Sequence, residues 1–361
     1  MKKIIIFSLL LAMFVFGCGE DKVVNDDNNN PIGRLYVPNQ ADQTISIYNS
    51  HTLAHIKTFD TPVQEPHFVQ FNHDYQYYYI IGRQVSGQVA KYLRSNDSLV
   101  KLITVEGSVF PTSLCLSPDD DTLYLTDFTN GPGHTHRYNS SGDNFVWLDS
   151  TLQAGIQTHD IRISPDGKYV VSAGYSSDDF TIIDLENGEL LPTRLEDGQH
   201  IFNPISNNYG GYGVLFDATG ERLFVGCSKG NDQIRVVDMA TKNVVDSVMI
   251  TVDNSGNADR SGPTYMAVTP DNKRLFVTNY LDNSVTAIDI ENYTVLGKIE
   301  FSTPKPFGIS IADNGSRLYV SCTNTRPANG MVYVIDPVNL ISVDSITTGS
   351  EPFGLIYIPL N

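Results

Sequence analysis

A tight turn followed by a short β-branched or aromatic strand recurs along this 361-residue chain, and no other feature restricts its folding as much. Ser117-Pro118-Asp119-Asp120 precedes Leu123-Tyr124-Leu125, and Ser164-Pro165-Asp166-Gly167 precedes Tyr169-Val170-Val171. The unit returns as Asp217-Ala218-Thr219-Gly220 before Leu223-Phe224-Val225, as Thr269-Pro270-Asp271-Asn272 before Leu275-Phe276-Val277, and as Ala312-Asp313-Asn314-Gly315 before Leu318-Tyr319-Val320. Asn72-His73-Asp74-Tyr75 before Tyr77-Tyr78-Tyr79 is a degenerate copy, and Leu35-Tyr36-Val37 keeps the strand without its turn. Asp, Asn, Gly and Pro at the turn positions supply local side-chain hydrogen bonds and unusual backbone angles, and the residues after them favour extended chain. Seven copies at spacings of 42 to 54 residues suit a chain that grows by adding small sheets rather than by enlarging one core.

Residues 306–349 show one period in full, with extended segments at Phe307 to Ala312, Leu318 to Cys322, Met331 to Asp336 and Ile341 to Thr347. Pro and Gly clusters separate them, and no helical periodicity occurs beyond the N-terminal segment. The period and the strand count predict an all-β fold, a seven-bladed β-propeller of four-stranded antiparallel blades over residues 34–361. Pro352-Phe353-Gly354-Leu355-Ile356-Tyr357 repeats Pro306-Phe307-Gly308-Ile309-Ser310-Ile311 just before the sequence ends. N- and C-terminal strands are therefore expected to share one blade and close the ring, removing exposed edges. The repeat is weakest in blade 2 and around Gly131 to Tyr138, where a poor third strand is expected in blade 3.

Lys2 and Lys3 precede an apolar run from Ile4 to Gly17 and then Cys18, the order of a secretory signal and too short for a span of about 20 residues. Val15-Phe16-Gly17-Cys18 resembles the lipobox of bacterial lipoproteins. That resemblance implies that residues 1–17 are a lipoprotein signal peptide and that Cys18 is acylated, attaching the chain to the membrane. Residues 18–33 are polar and read as a flexible tether with a reach on the order of 20 Å. The expected address is the cell envelope, on the periplasmic or surface-exposed face of the outer membrane. Loss of Lys2 and Lys3 would make the formal charge of −17 two units more negative. Such acidity argues against nucleic acid as a partner, because that affinity rests on clustered Lys and Arg. Cys115, Cys227 and Cys322 fall in predicted strands and are expected to be buried free thiols.

Arg274 to Asn279, Asn283 to Asp289 and Thr294 to Ile299 together resemble the YVTN-repeat propellers, and the resemblance extends over about residues 34–359. That group includes surface-layer proteins, periplasmic propellers without established catalysis, the haem d1 domain of nitrite reductases and cobalamin-binding surface lipoproteins. The resemblance implies the fold and leaves the function open.

In a propeller, the loops from fourth to next first strand and those from second to third strand share one face. Aligning the first strands on their turns puts Phe353, His67, Thr112, His159, Tyr212, Thr264 and Phe307 at one position around the channel, with Glu65, Lys305 and Glu351 just before it. His200 and Tyr209 lie in the longest loop, and His134 and His136 are read into a second-to-third-strand loop. Thr158-His159-Asp160 can give a carboxylate-oriented imidazole, useful for proton transfer or metal binding. The alternative is that Asp160 pairs with Arg162 or with backbone. His67 and His159, in blades 2 and 4, could share a metal only over the channel. No haem-attachment motif, nucleophile elbow, P-loop or EF-hand spacing occurs.

The first reading is thus a non-enzymatic binding module for a small molecule, such as a corrinoid, or for an envelope protein. Its ligand-binding set is His67, His159, Asp160, His200, Tyr209, Tyr212, Glu65, Lys305 and Glu351, with no catalytic or metal residue assigned and no cofactor named. The second is a redox or hydrolytic enzyme, haem d1-like or lactonase-like, using the histidine-rich face. The third is a structural protein of surface-layer type.

Overall fold

A computed structural model describes residues 32–360 apart from 84–86, 106–109, 129–131, 197, 199–208, 230–231, 251–260, 303–304 and 327. The expected signal, Cys18, all but the last two residues of the tether, and His200 lie outside the described residues. Among the described residues no helix is long and apolar enough to cross a membrane.

The strands form seven four-stranded antiparallel sheets. In blades 2 to 7 the first strands are Pro66–Phe71, Pro111–Leu116, Thr158–Ile163, Gly211–Phe216, Pro263–Val268 and Lys305–Ile311. Blade 1 is composite: Ile356–Pro359 pairs with Gly33–Asn39, followed outward by Thr44–Asn49 and His55–Asp60. Gly33 lies opposite Pro359 and Tyr36 opposite Ile356, so the two ends of the propeller chain meet in one sheet. The first strand of blade 7 touches Ile356–Pro359, which closes the ring. The N-terminal strand begins at Gly33, one residue ahead of the boundary read from the sequence.

Burial explains why these residues form these strands. The second strand of each blade is the most apolar and is covered on both faces by neighbouring blades, so alternation gives way to a continuous run. Tyr36, Tyr78, Val171, Val225, Phe276 and Tyr319 are fully covered. The buried side chains group into seven clusters, one at each blade interface. One joins Phe180 and Ile182 of blade 4 to Val214 and Val225 of blade 5, and another joins Tyr319 and Val334 of blade 7 to Leu35 and Tyr357 of blade 1. Each fully buried Leu, Ile, Val or Phe contributes roughly 1.5–3 kcal/mol, so every blade is held by its two neighbours.

The recurrent turn follows its residue types. Ser117 Oγ donates to Asp119 at 2.5 Å and accepts from the Thr122 N–H at 2.9 Å, and Ser164 with Asp166 and Tyr169 repeats the arrangement. The fourth turn residue has a left-handed φ in each copy: Asp120 (61°), Gly167 (72°), Gly220 (75°), Asn272 (58°) and Gly315 (70°), with Tyr75 (57°) in the degenerate one. Gly, Asn and Asp tolerate that conformation and a bulky ring does not, which is why the blade 2 copy is hard to recognise. Three blades also carry an arginine that reaches the next one: Arg222 donates to Ile290 O at 2.7 Å, Arg274 to Pro337 O at 2.5 Å and Arg317 to His51 O at 3.0 Å.

Blade 3 corrects the expectation of a poor third strand. Pro132–Asn139 is a full strand between Thr122–Asp127 and Val146–Ile156, so His134 and His136 lie within a strand rather than a loop. Its polar residues find partners that a sequence pattern does not show. His136 Nε2 lies 3.3 Å from Asp127 Oδ2, and Arg137 Nε donates to Asp149 at 2.6 Å.

Candidate functional site

The first strands of blades 2 to 7 open with one irregularity: register with the second strand breaks just after the first residues, as between Pro66 and Phe68, Gly211 and Val214, and Pro306 and Ile309. Such a bulge re-aims a side chain away from the pleat. The residues at the break are His67, Thr112, His159, Tyr212, Thr264 and Phe307, and Phe353 follows the isolated bridge between Pro352 and Asn39 in blade 1. Glycine follows three of these rings because adjacent blades approach closely there. A Cβ on Gly354 would lie 2.3 Å from the Phe68 ring, and one on Gly308 would lie 2.3 Å from Phe353 O.

The rings meet and block the channel. His67 lies 4.8 Å from Phe353, 5.6 Å from Phe307 and 6.4 Å from His159 between ring centres, and His159 stacks on Tyr212 at 3.7 Å. Phe68, Tyr265 and Phe307 fill the space between them, with Tyr265 at 4.8 Å from Phe68 and 5.1 Å from Phe307. His67 and His159 are both 0% exposed. His67 Nδ1 lies 2.8 Å from Gln40 Oε1, and the Tyr265 hydroxyl lies 3.1 Å from His159 Nδ1. Neither Nε2 has a hydrogen-bond partner. Burial first, and then the positive charge of Arg83, hold both imidazoles well below their ordinary pKa, so both are neutral. The same charge opposes a cation between them. Among the described residues no group of three His, Cys, Asp or Glu is placed to hold a metal ion.

Above this plug is a cavity of about 340 Å³, lined by His159, Tyr212, Thr264 and Phe307 of the inner strands and by Phe353, which precedes Ile356–Pro359. A second tier contributes Arg83, Phe128, Tyr175, Ser228 and Tyr280. Each of these five directly follows the second strand of its blade. Their N–H groups donate to Glu65 O (3.0 Å), Phe110 O (2.8 Å), Gln157 O (3.2 Å), Gly210 O (3.0 Å) and Gly262 O (3.0 Å), the carbonyls just before the first strands. Both tiers are thus set by repeat position. Sequence reasoning aligned only the first strands and so missed the second tier. Aligning the ends of the second strands would have found it.

The remaining candidates scatter. Asp160 is not the orienting group for His159. Its carboxylate accepts from Ser113 Oγ at 2.7 Å, Arg162 Nη1 at 2.6 Å and the Val214 N–H at 3.1 Å, fastening blade 4 to blades 3 and 5. Burial pushes its carboxyl up, and Arg162 with the hydrogen bonds pulls the other way. Glu65 and Glu351 clasp Arg326, at 3.5 and 2.6 Å, and do not line the cavity. Lys305 lies on the rim, its Nζ 4.7 Å from the centre of the Tyr280 ring. Tyr209 packs against the blade 4 and 5 cluster under Arg235 rather than entering the cavity, its N–H held by Asp178 at 2.8 Å. The three described cysteines are buried and free, and burial pushes the Cys227 thiol up to about 12.

Comparison with known proteins adds a family. Residues 88–321 match the family described as "Lactonase, 7-bladed beta-propeller". A 6-phosphogluconolactonase of Photorhabdus laumondii is 24% identical over 265 residues, 71% of this chain and 76% of that protein. One of Yersinia pestis is 26% identical over 284 residues with the same coverage. The hydrazine synthase subunit beta of Kuenenia stuttgartiensis is 29% identical over 211 residues, 49% of this chain and 53% of that protein. Among solved structures, a functionally unknown protein from Desulfotomaculum acetoxidans superposes with a TM-score of 0.70 at 16% identity, covering 91% of this chain and all of the other. Kuenenia stuttgartiensis hydrazine synthase gives 0.68 at 16%, covering 89% and 99%. At such identities these two superpositions speak for the fold alone.

Proposed function

We propose, for a chain that belongs to the lactonase family of seven-bladed β-propellers, that it is a binding module taking a small molecule into the cavity at the channel mouth. The observation that carries this reading is the closed-bottomed cavity itself. Aromatic rings from six blades surround it, and the buried rings of His67 and His159 separate it from the rest of the channel. The proposal includes attachment to the cell envelope through acylated Cys18, supported by the order of charged, apolar and cysteine residues at positions 2–18. A rigid ring on a tether holds such a site ready at a membrane without a conformational step.

Lactone hydrolysis is the second reading, favoured by the family and by relatives named 6-phosphogluconolactonase. Binding is preferred because both imidazoles are neutral and buried, and their Nδ1 atoms meet an amide oxygen and a phenol rather than a carboxylate that would raise their basicity. Native mass spectrometry and an absorption spectrum of protein from its own organism test the proposal. A stoichiometric adduct released on unfolding is expected, and Leu281→Trp, which fills the rim from an exposed position, should abolish it. An adduct that survives Leu281→Trp, or turnover of 6-phosphogluconolactone without any adduct, overturns it.

A further inference from the structure

The acidic composition of the chain contrasts with the charge at this cavity. Overall, 41 Asp and Glu outnumber 24 Lys and Arg, yet among the described residues the charged side chains lining the cavity or lying over its rings are the cations Arg83, Lys229 and Lys305. Each lies over an aromatic ring of the second tier. The Arg83 guanidinium is 5.8 Å from the centre of Phe128, Lys229 Nζ is 3.8 Å from Tyr175, and Lys305 Nζ is 4.7 Å from Tyr280. Lys229 also donates to Ser176 Oγ at 3.3 Å.

Nearby carboxylates are already engaged: Glu65 and Glu351 by Arg326, Asp160 by Arg162, and Asp178 by the Tyr209 and Gly210 N–H groups. Among the described residues no carboxylate lies within ion-pair distance of Arg83, and its side chain makes no hydrogen bond with any of them. This half-buried guanidinium faces the cavity, so an incoming anion meets its donors without having to displace a carboxylate of the protein. Its planar fork fits two oxygens of one carboxylate, and the ammonium groups on the rim add attraction at longer range. Flat rings on the walls favour a flat ligand, since offset and edge-to-face contacts each add about 0.5–1.5 kcal/mol beyond burial.

We propose that the ligand of this cavity is an aromatic carboxylic acid, its carboxylate on Arg83 and its ring among Tyr175, Tyr212, Tyr280 and Phe307. This rests on the binding reading above and specifies its chemistry.

Isothermal titration of the propeller with 2-naphthoate, with methyl 2-naphthoate and with glucose 6-phosphate tests it. The acid is expected to bind at least about tenfold more tightly than the ester, a gap of about 1.4 kcal/mol, and to weaken as salt is added. Arg83→Gln should remove that gap. Among the described residues the Arg83 side chain has no hydrogen bond or ion pair and only the Phe128 ring beside it, so the variant should retain the fold, which circular dichroism checks. Equal binding of acid and ester, or an acid affinity untouched by Arg83→Gln, overturns the proposal. Preference for glucose 6-phosphate overturns it too, while leaving a binding cavity. If a native adduct is found and none of the three probes binds, the ligand class falls alone. If adduct and probe binding are both absent, the binding reading falls with it.

Discussion

Replacing His159 by Phe should make the propeller gain stability relative to wild type as the pH falls, and the size of the effect follows from the plug. His159 is 0% exposed, its Nδ1 is occupied by the Tyr265 hydroxyl, and its Nε2 has no hydrogen-bond partner among the described residues. Burial and the Arg83 charge hold its pKa well below 6.5. A histidine whose folded pKa is depressed contributes stability that is present above the unfolded value and is lost as the pH falls towards the folded one. At pH 4.5 an unfolded chain gains about 2.7 kcal/mol by protonating an imidazole of pKa 6.5, and a ring that stays neutral in the fold gains nothing. Phe keeps the stack on Tyr212 and has no proton to take up. Its cost at neutral pH, from the stranded Tyr265 hydroxyl, is the same at every pH and cancels in the comparison. Urea unfolding followed by circular dichroism at pH 7.5 and 4.5 should show the stability difference between variant and wild type shifting in favour of the variant, with about 2.7 kcal/mol as the ceiling. A difference that stays constant between the two pH values would refute the account, because His159 would then accept a proton in the folded ring.

Two further outcomes are expected. Burial pushes the Asp179 carboxyl up to about 7. A raised carboxyl pKa gives stability that is full below the unfolded value near 3.8 and is lost as the pH rises through 7, so Asp179→Asn should remove a decline on the order of 4 kcal/mol across that window, read by the same urea titrations. Ending the chain after Glu351 removes the buried Leu355, Tyr357 and Ile358 and leaves blade 1 with three strands. At roughly 1.5–3 kcal/mol per side chain the loss should be about 5 kcal/mol or more, and a urea midpoint close to that of the full chain would show that the composite blade does not close the ring.

Much of this architecture was legible because each turn advertises itself locally. The Ser-Pro-Asp and Thr-Pro-Asp turns, the covered strand after each, and the echo of Pro306-Phe307-Gly308 in Pro352-Phe353-Gly354 depend on neighbours within a few residues. The seven residues around the channel were also legible, since a repeat puts equivalent side chains at equivalent places. His134 and His136 were misread because the partners that make their segment a strand, Asp127 and Asp149, come from other strands of the blade.

The sequence by itself therefore determined the blade count, the split blade and the inner ring, all consequences of short-range turn chemistry and period. Tertiary structure decided what the ring does. Whether His159 would face Asp160 or Tyr265 depended on a bulge and on a residue 106 positions away, and it fixed a neutral plug rather than a polarised imidazole. Which charges were neutralised was likewise settled across blades: among the described residues, Arg162 and Arg326 found carboxylates and Arg83 did not. Pairing is a matter of distance in space, which a linear pattern of charges does not contain.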